Sequence, residues 1–261
     1  MHHVTELAPG VRLLSGVPDE CCIYLVEGTE RALLIDPGFG IGDIRAEAAS
    51  LTSLPLTAVN THGHGDHSGG DMFFDTVYMH PAAEEDARGA LELNRTKLSP
   101  DQIREMERIL ANGSFRVQPI GDGFVFDLGG RELEVIEIPG HTSGCIALLD
   151  RKNRLLFSGD CALKAMDILL VVPQALSVAQ YLESMKKLQL QRGYFDWMCT
   201  GHDEYLMPAS FLDKVVACAE KIVSGALDGE PLELPPVFGD THARRVVCGD
   251  FAIAYRPGKI H

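Results

Sequence analysis

The sequence of 261 residues contains no run of about 18 consecutive apolar residues, so no segment reads as a membrane-spanning helix. Its first residues, MHHVTELAPGVRLLSG, show no basic start followed by an apolar stretch. No secretory leader is therefore expected, and the chain reads as cytoplasmic. Basic residues are scarce: 23 Lys+Arg stand against 37 Asp+Glu, a formal net charge of −14. Such a surface repels phosphate backbones and anionic lipid, so neither nucleic acid nor a membrane is expected as a partner. A local basic groove can still hide inside that total. The seven cysteines, at 21, 22, 145, 161, 199, 218 and 248, lack the paired spacing of a disulfide framework or a zinc knuckle. They read as mostly buried thiols of a reducing compartment. Low-complexity tracts and linkers are missing too, and the 46% apolar content is that of an ordinary globular protein.

What remains is a chain of short strands and longer helices. Apolar, β-rich runs occur at 11–16, 21–27 and 31–36, the last two separated by a tight turn at Gly28-Thr29-Glu30. Asp36-Pro37-Gly38-Phe39-Gly40 breaks the third run, and the spacing predicts a helix from about 41 to 51 and a strand over 56–60. Residues 81–111 differ in kind: Ala82–Leu93 and Asp101–Leu110 favour helix, with Ser99-Pro100 as cap and first-turn proline of the second. Strands are predicted again at 115–119, 124–127, 131–138, 145–150 and 154–158. Helices follow at about 174–191 and 208–227, around a strand at 196–200, and strands at 243–248 and 250–255 end the chain. Two blocks of this kind suggest two packed sheets with helices outside. The expectation is a single domain over 1–261 with a helical insertion at about 81–111.

The densest chemistry lies in Thr61-His62-Gly63-His64-Gly65-Asp66-His67-Ser68-Gly69-Gly70, at the end of a predicted strand. Three imidazoles and a carboxylate fall within six residues, and the interleaved glycines let the backbone turn sharply. Neutral imidazole and carboxylate are the ligands that zinc and similar divalent ions prefer. His141, Asp160 and His202 each follow a glycine at the end of a later predicted strand. The seven residues His62, His64, Asp66, His67, His141, Asp160 and His202 suffice for two metal sites that share one ligand. His2 and His3 read as a solvated tail, His80 as a loop residue, and His242 and His261 as solvated.

The pieces THGHGDH at 61–67, PGHTSG at 139–144, SGD at 158–160 and GH at 201–202, with LIDPG at 34–38, stand in the order found in the metallo-β-lactamase-fold hydrolases. The chain resembles that family over roughly residues 11–205, in the manner of its glyoxalase II/lactonase-like branch. The resemblance implies an α/β fold: a four-layer αβ/βα sandwich of two mixed β-sheets packed face to face, helices outside, with the metals at the edge between the sheets. It assigns His62, His64 and His141 to one metal, Asp66, His67 and His202 to the other, and Asp160 to both. His64, where the oxygen-reducing members carry Glu, favours zinc hydrolysis. Asp160 argues against the secreted β-lactamases, and no added nucleic-acid-binding region is evident. The basic set that binds glutathione thioesters in one branch is not found at its usual places.

These features imply a dinuclear hydrolase with two Zn²⁺, iron or manganese being alternatives. It would act on a small carboxyl ester, thioester or lactone through a metal-bridging hydroxide. Asp66 would also orient that hydroxide or carry its proton. A mononuclear non-haem iron enzyme of the persulfide-dioxygenase type, or a phosphodiesterase on the same fold, are the competing readings. Asp36, Thr61 and Ser143 are candidates for holding the ligands from behind. Lys164, within KAMDILLVVP, is a candidate to pair an acidic substrate group, and Tyr181 a candidate pocket residue. Residues 81–111 are expected to form a lid, one wall of the cleft or a solvated helical hairpin. The partner is a small-molecule substrate, and a homodimer stays open.

Overall fold

Aliphatic runs of four to six residues, each cut by glycine, proline or aspartate, build the sheets. The computed structural model describes residues 2–17, 20–95, 98–111, 115–164, 166–202, 204–236 and 240–261. It divides into two compact units, residues 1–135 and 136–261. No helix among the described residues is long and apolar enough to cross a membrane.

In the first unit, seven strands lie in chain order: β1 (His3–Ala8), β2 (Val11–Ser15), β3 (Ile23–Glu27), β4 (Ala32–Ile35), β5 (Leu56–Val59), β6 (Thr76–Met79) and β7 (Arg116–Pro119). The pairs from β1 to β4 are antiparallel and those from β4 to β7 are parallel. Parallel neighbours need crossovers. The helix α1 (Ile44–Leu51) joins β4 to β5, and α2 (Gly65–Ser68) lies between β5 and β6. The helices α3 (Glu84–Asn94) and α4 (Pro100–Ala111) join β6 to β7. The helical segment expected at 81–111 is thus the crossover of a parallel pair; residues 96 and 97 of it lie outside the described residues. The Asp43 side chain accepts from Ala46 N at 2.9 Å and sets the start of α1. Ser99 and Gln102 cap α4 reciprocally. Leu14, Ile23, Leu25, Leu34, Val77 and Met79 meet Ala83, Ala87 and Met106 in this unit's core. A hairpin of β8 (Val125–Asp127) and β9 (Glu132–Glu137) follows.

The strand β9 carries the chain into the second unit, where it borders β10 (Ile146–Asp150), followed by β11 (Leu155–Gly159), β13 (Trp197–Thr200) and β14 (Met207–Pro208). A further sheet has the order β12 (Ile168–Leu170), β17 (Ala252–Tyr255), β16 (His242–Val247), β15 (Glu230–Glu233). The helix α5 (Val178–Leu190) starts four residues later than its apolar spacing suggests. Ser177 and Gln180 close a capping box there, and Pro173 precedes it. It packs with α6 (Phe211–Val223) on a core of Ile138, Leu149, Leu156, Met185, Met198 and Leu212. The fold is mixed α/β, with several sheets and helices.

Two expectations are corrected. Cys218 of α6 and Cys248, just after β16, form a disulfide across 30 residues, while Cys21, Cys22, Cys145, Cys161 and Cys199 are the buried thiols. His2 is no solvated tail: its side chain is only 3% exposed, because pairing of β1 with β2 carries it onto two carboxylates. Its Nε2 lies 2.6 Å from Glu20 Oε2 and its Nδ1 3.0 Å from Glu47 Oε2. The bond to Glu20 raises the His2 pKa, against burial, which lowers it. A pKa raised by folding gives stability that is complete below the unfolded value, about 6.5, and fades as pH rises through the folded value. His2→Gln should therefore cost about 1–3 kcal/mol at pH 6 and distinctly less at pH 9. Urea unfolding of both proteins at the two pH values checks this; an equal cost at both would contradict it.

Candidate metal centre

The loop after β5 is gripped from two sides. Asn60 Nδ2 donates to Asp71 Oδ2 at 2.8 Å, and burial raises the Asp71 carboxyl well above the usual carboxylate range. His64 precedes α2, and its carbonyl accepts from His67 N and Ser68 N. On one side, Gly38 N donates to His67 O at 3.0 Å and Gly70 N to Gly38 O at 2.9 Å, stitching the Asp36–Gly40 turn to the loop. On the other side, α3 and the turn before it come so close that a Cβ at Gly63 would collide with the Ala83 carbonyl and the Asp86 side chain, and one at Gly65 with the Asn94 side chain. Asn94, which sequence inspection did not single out, donates to Gly65 O at 2.8 Å and Phe39 O at 3.2 Å. It sits in a helix whose polar composition conceals it.

Hydrogen bonds behind the imidazoles decide which ring nitrogen carries the proton. Asp36 Oδ1 accepts from Thr61 N at 2.7 Å, and its Oδ2 accepts from Thr61 Oγ1 at 2.8 Å and from His67 Nδ1 at 2.9 Å. A carboxylate only accepts, so His67 carries its proton on Nδ1. The Thr61 hydroxyl spends its own proton on Asp36, so at 3.1 Å it accepts from His62 Nδ1. Both rings therefore spend Nδ1 on these bonds, which leaves Nε2 as the lone-pair nitrogen of the neutral ring, the state a metal needs. His62 and His67 are buried, with ring centroids 4.1 Å apart, and His64 stands edge-on to His62 at 4.6 Å. His64 and Asp66 are half-buried, and Asp66 Oδ2 lies 3.7 Å from His67 Nε2.

The second unit repeats the logic with backbone groups. His141 Nδ1 donates to the Leu169 carbonyl of β12 at 2.7 Å, so in the neutral ring Nε2 is again the nitrogen with the lone pair. Asp160 follows Gly159 at the end of β11, and its Oδ2 lies 3.7 Å from His141 Nε2 and 3.5 Å from His202 Nε2. Gly201 N donates to Gly159 O at 2.9 Å and sets the His202 turn beside it. Tyr181 is fully buried: its hydroxyl donates to Cys161 O at 2.6 Å, its ring covers Gly140, and burial raises its pKa. It thus braces the turns of Asp160 and His141 from within the core. Lys164 Nζ is held by Glu204 at 3.0 Å and by Asp250 at 3.5 Å. Ser143 is exposed; its neighbour Thr142 is buried, bonded to Cys145 Sγ. No sequence signal distinguished Thr142, and a carbonyl such as that of Leu169 carries none.

Within each unit the donor atoms converge. One ligand atom each of His62 and His64, of Asp66 and His67, and of His141 and Asp160 lie within 4.8 Å of each other. Neutral imidazoles and carboxylates with fixed tautomers fit a borderline divalent cation. A signature of the metallo-beta-lactamase superfamily matches residues 16–224, and the chain belongs to that superfamily. It is 32% identical over 234 residues to acyl-coenzyme A thioesterase MBLAC2 of Gallus gallus, covering 77% of this chain and 84% of that relative. The Bos taurus protein of the same name is 39% identical over 158 residues, 53% of this chain; there the match spans only 57% of the relative's length. A hydroxyacylglutathione hydrolase of Prochlorococcus marinus is 30% identical over 145 residues, 53% of this chain and 49% of the relative. Among solved structures, a metallo-beta-lactamase from Pontibacter korlensis has a TM-score of 0.63 at 18% identity, over 84% of this chain and 99% of that one. A metallo-beta-lactamase family protein from Thermus thermophilus has a TM-score of 0.61 at 21% identity, over 96% of this chain and 100% of that one.

Removing the carboxylate behind the rings tests the arrangement. Asp36→Asn should weaken divalent-cation binding by about 10- to 100-fold. Competition with a chromophoric chelator reads the affinity, and circular dichroism confirms folding. Unchanged affinity in a folded variant would show that the tautomer network does not matter.

Proposed function

We propose that this chain is a thioester hydrolase that works with two divalent cations, zinc foremost. His62, His64 and His141 would hold one cation, Asp66, His67 and His202 the other, and Asp160 both. The observation that carries the reading is the common presentation of Nε2 by His62, His67 and His141, with Asp160 Oδ2 beside both His141 and His202. The relatives named acyl-coenzyme A thioesterase and hydroxyacylglutathione hydrolase support the bond type. When bound, such cations polarise a carbonyl oxygen and make water nucleophilic at neutral pH.

The chain's own groups divide the work by burial. His62, His67 and His141 are buried, and their hydrogen bonds leave them little freedom. His64 and Asp66 are half-buried, at the accessible side of their loop, where a substrate arrives. Asp66 would use one carboxylate oxygen as a ligand and the other to orient the attacking water and take its proton. Addition of water and loss of the thiol leave a carboxylic acid, so the products are one acid and one thiol. The chain's net charge of −14 disfavours thiol arms rich in phosphate, which favours acyl thioesters of small neutral or singly charged thiols.

Elemental analysis beside a hydrolysis panel tests this reading. The panel holds an acyl-coenzyme A, an S-acylglutathione, an uncharged acyl thioester, a lactone and a phosphodiester. The expected result is about two metal equivalents per chain and fastest turnover on thioesters. Asp66→Asn should lower kcat about 100-fold or more. One iron per chain with oxygen uptake, or full turnover by Asp66→Asn with both metals in place, would overturn it.

A further inference from the structure

The sheet whose carbonyl sets His141 is pinned to a helix by a covalent bond. Cys218 of α6, almost fully buried, is bonded to Cys248, half-buried just after β16. Cys248 opens a tight hairpin turn: its N donates to Phe251 O at 2.9 Å, and Gly249 takes the left-handed backbone, φ +77°, that such a turn favours. The strand after the turn, β17, pairs with both β16 and β12. Ala254 of β17 stands opposite Arg245 of β16 on one side and Leu169 of β12 on the other. The Arg245 guanidinium reaches across to the Asp167 carboxylate, beside β12, at 2.6 and 2.8 Å. Leu169 O is the group that accepts from His141 Nδ1. Paired backbone thus runs without a break from Cys248 to the carbonyl behind a ligand ring. The turn also meets α6 through the rings of Phe211 and Phe251, 5.1 Å apart, and through Lys214 and Asp250 at 3.4 Å. That ion pair is about half exposed, and exposed pairs contribute little.

We propose that the Cys218–Cys248 bond is a redox control on the placement of His141. Closed, it anchors the hairpin to α6 and holds the three paired strands in place behind the ring. Opened by a dithiol reductant, it frees the hairpin, and the Leu169 carbonyl loses its fixed position. The exchange starts at Cys248, the more exposed sulfur of the two, in a turn whose Gly249 and Asp250 lie in solvent. A thiolate of the reductant attacks Cys248 Sγ, and Cys218 leaves as a thiolate that takes up a proton. The second thiol of the reductant then displaces Cys248 from the mixed disulfide. The protein's two sulfurs end as thiols, and the reductant's pair is oxidised to a disulfide. The other five cysteines are free and buried, which leaves this bond as the reducible one. The consequence for cation binding rests on the proposed role of His141 as a ligand; the consequence for the sheet does not.

Two readouts on the full chain test this, each taken on protein oxidised with glutathione disulfide and on protein reduced with dithiothreitol and desalted without air. Hydrogen exchange read by mass spectrometry should show loss of protection over β12 and β17 in the reduced form. Zinc affinity, from competition with a chromophoric chelator, should fall about tenfold on reduction. Reoxidation should restore both. Cys248→Ser, at the half-buried position, should behave as the reduced form does and ignore dithiothreitol. Equal exchange over both strands in the two forms would overturn the proposal. So would a Cys248→Ser protein that still responds to the dithiol, or a chain that forms no bond with glutathione disulfide. Loss of protection with zinc bound equally well in both forms would overturn the control of His141 as well, since the sheet would then move without its ligand. Protein that binds no zinc in either form would contradict the reading of the metal centre, and the exchange data would decide the role of the bond by themselves.

Discussion

A single buried carboxylate organises the His-rich half of the centre. Asp36 accepts three hydrogen bonds, and through them it fixes the backbone at Thr61, the Thr61 hydroxyl and the His67 ring. The hydroxyl passes the constraint on to His62. One negative charge thereby settles the proton positions of two imidazoles without touching the face they present. Asp36 holds a left-handed backbone, φ +55°, rare for a residue with a side chain; it costs about 1–3 kcal/mol and persists only where the surroundings enforce it. Those surroundings are the stitched turn and loop, so the strain and the tautomers depend on the same bonds.

The later half reaches the same chemical state by other means. A backbone carbonyl, Leu169 O, takes the place of the carboxylate behind His141. Tyr181 and Ser184 of α5 bond to Cys161 O and Pro139 O, on the segments that lead away from Asp160 and into His141. The donors here owe their placement to the apolar packing of a helix. Each unit thus prepares its donors with its own resources.

Much of this was legible in the sequence because it depends on local chemistry. Buried parallel strands read as unbroken aliphatic runs, as in Ala32–Ile35. The alternation of His and Gly at 61–67 betrayed a sharp turn crowded with ligands, and the Asp36–Thr61–His67 contacts run between two recognisable motifs. What escaped notice depends on partners distant in the chain. The strand β1 is polar and half-exposed, as suits an edge, so no alternation marked it. His2 finds its carboxylates 18 and 45 residues away, and Cys218 meets Cys248 across 30. Lys164 pairs with Glu204 and Asp250, and Tyr181 is drawn into the core against a glycine that offers its ring a flat seat.

The chemistry asked of this centre rests on where three protons sit. Nitrogen-15 spectra of the ring nitrogens, recorded on metal-free protein at neutral pH, observe them directly. His62, His67 and His141 are expected as neutral rings protonated at Nδ1. Protonation at Nε2, or imidazolium at all three, would contradict the assignment of these rings as ready-made metal ligands.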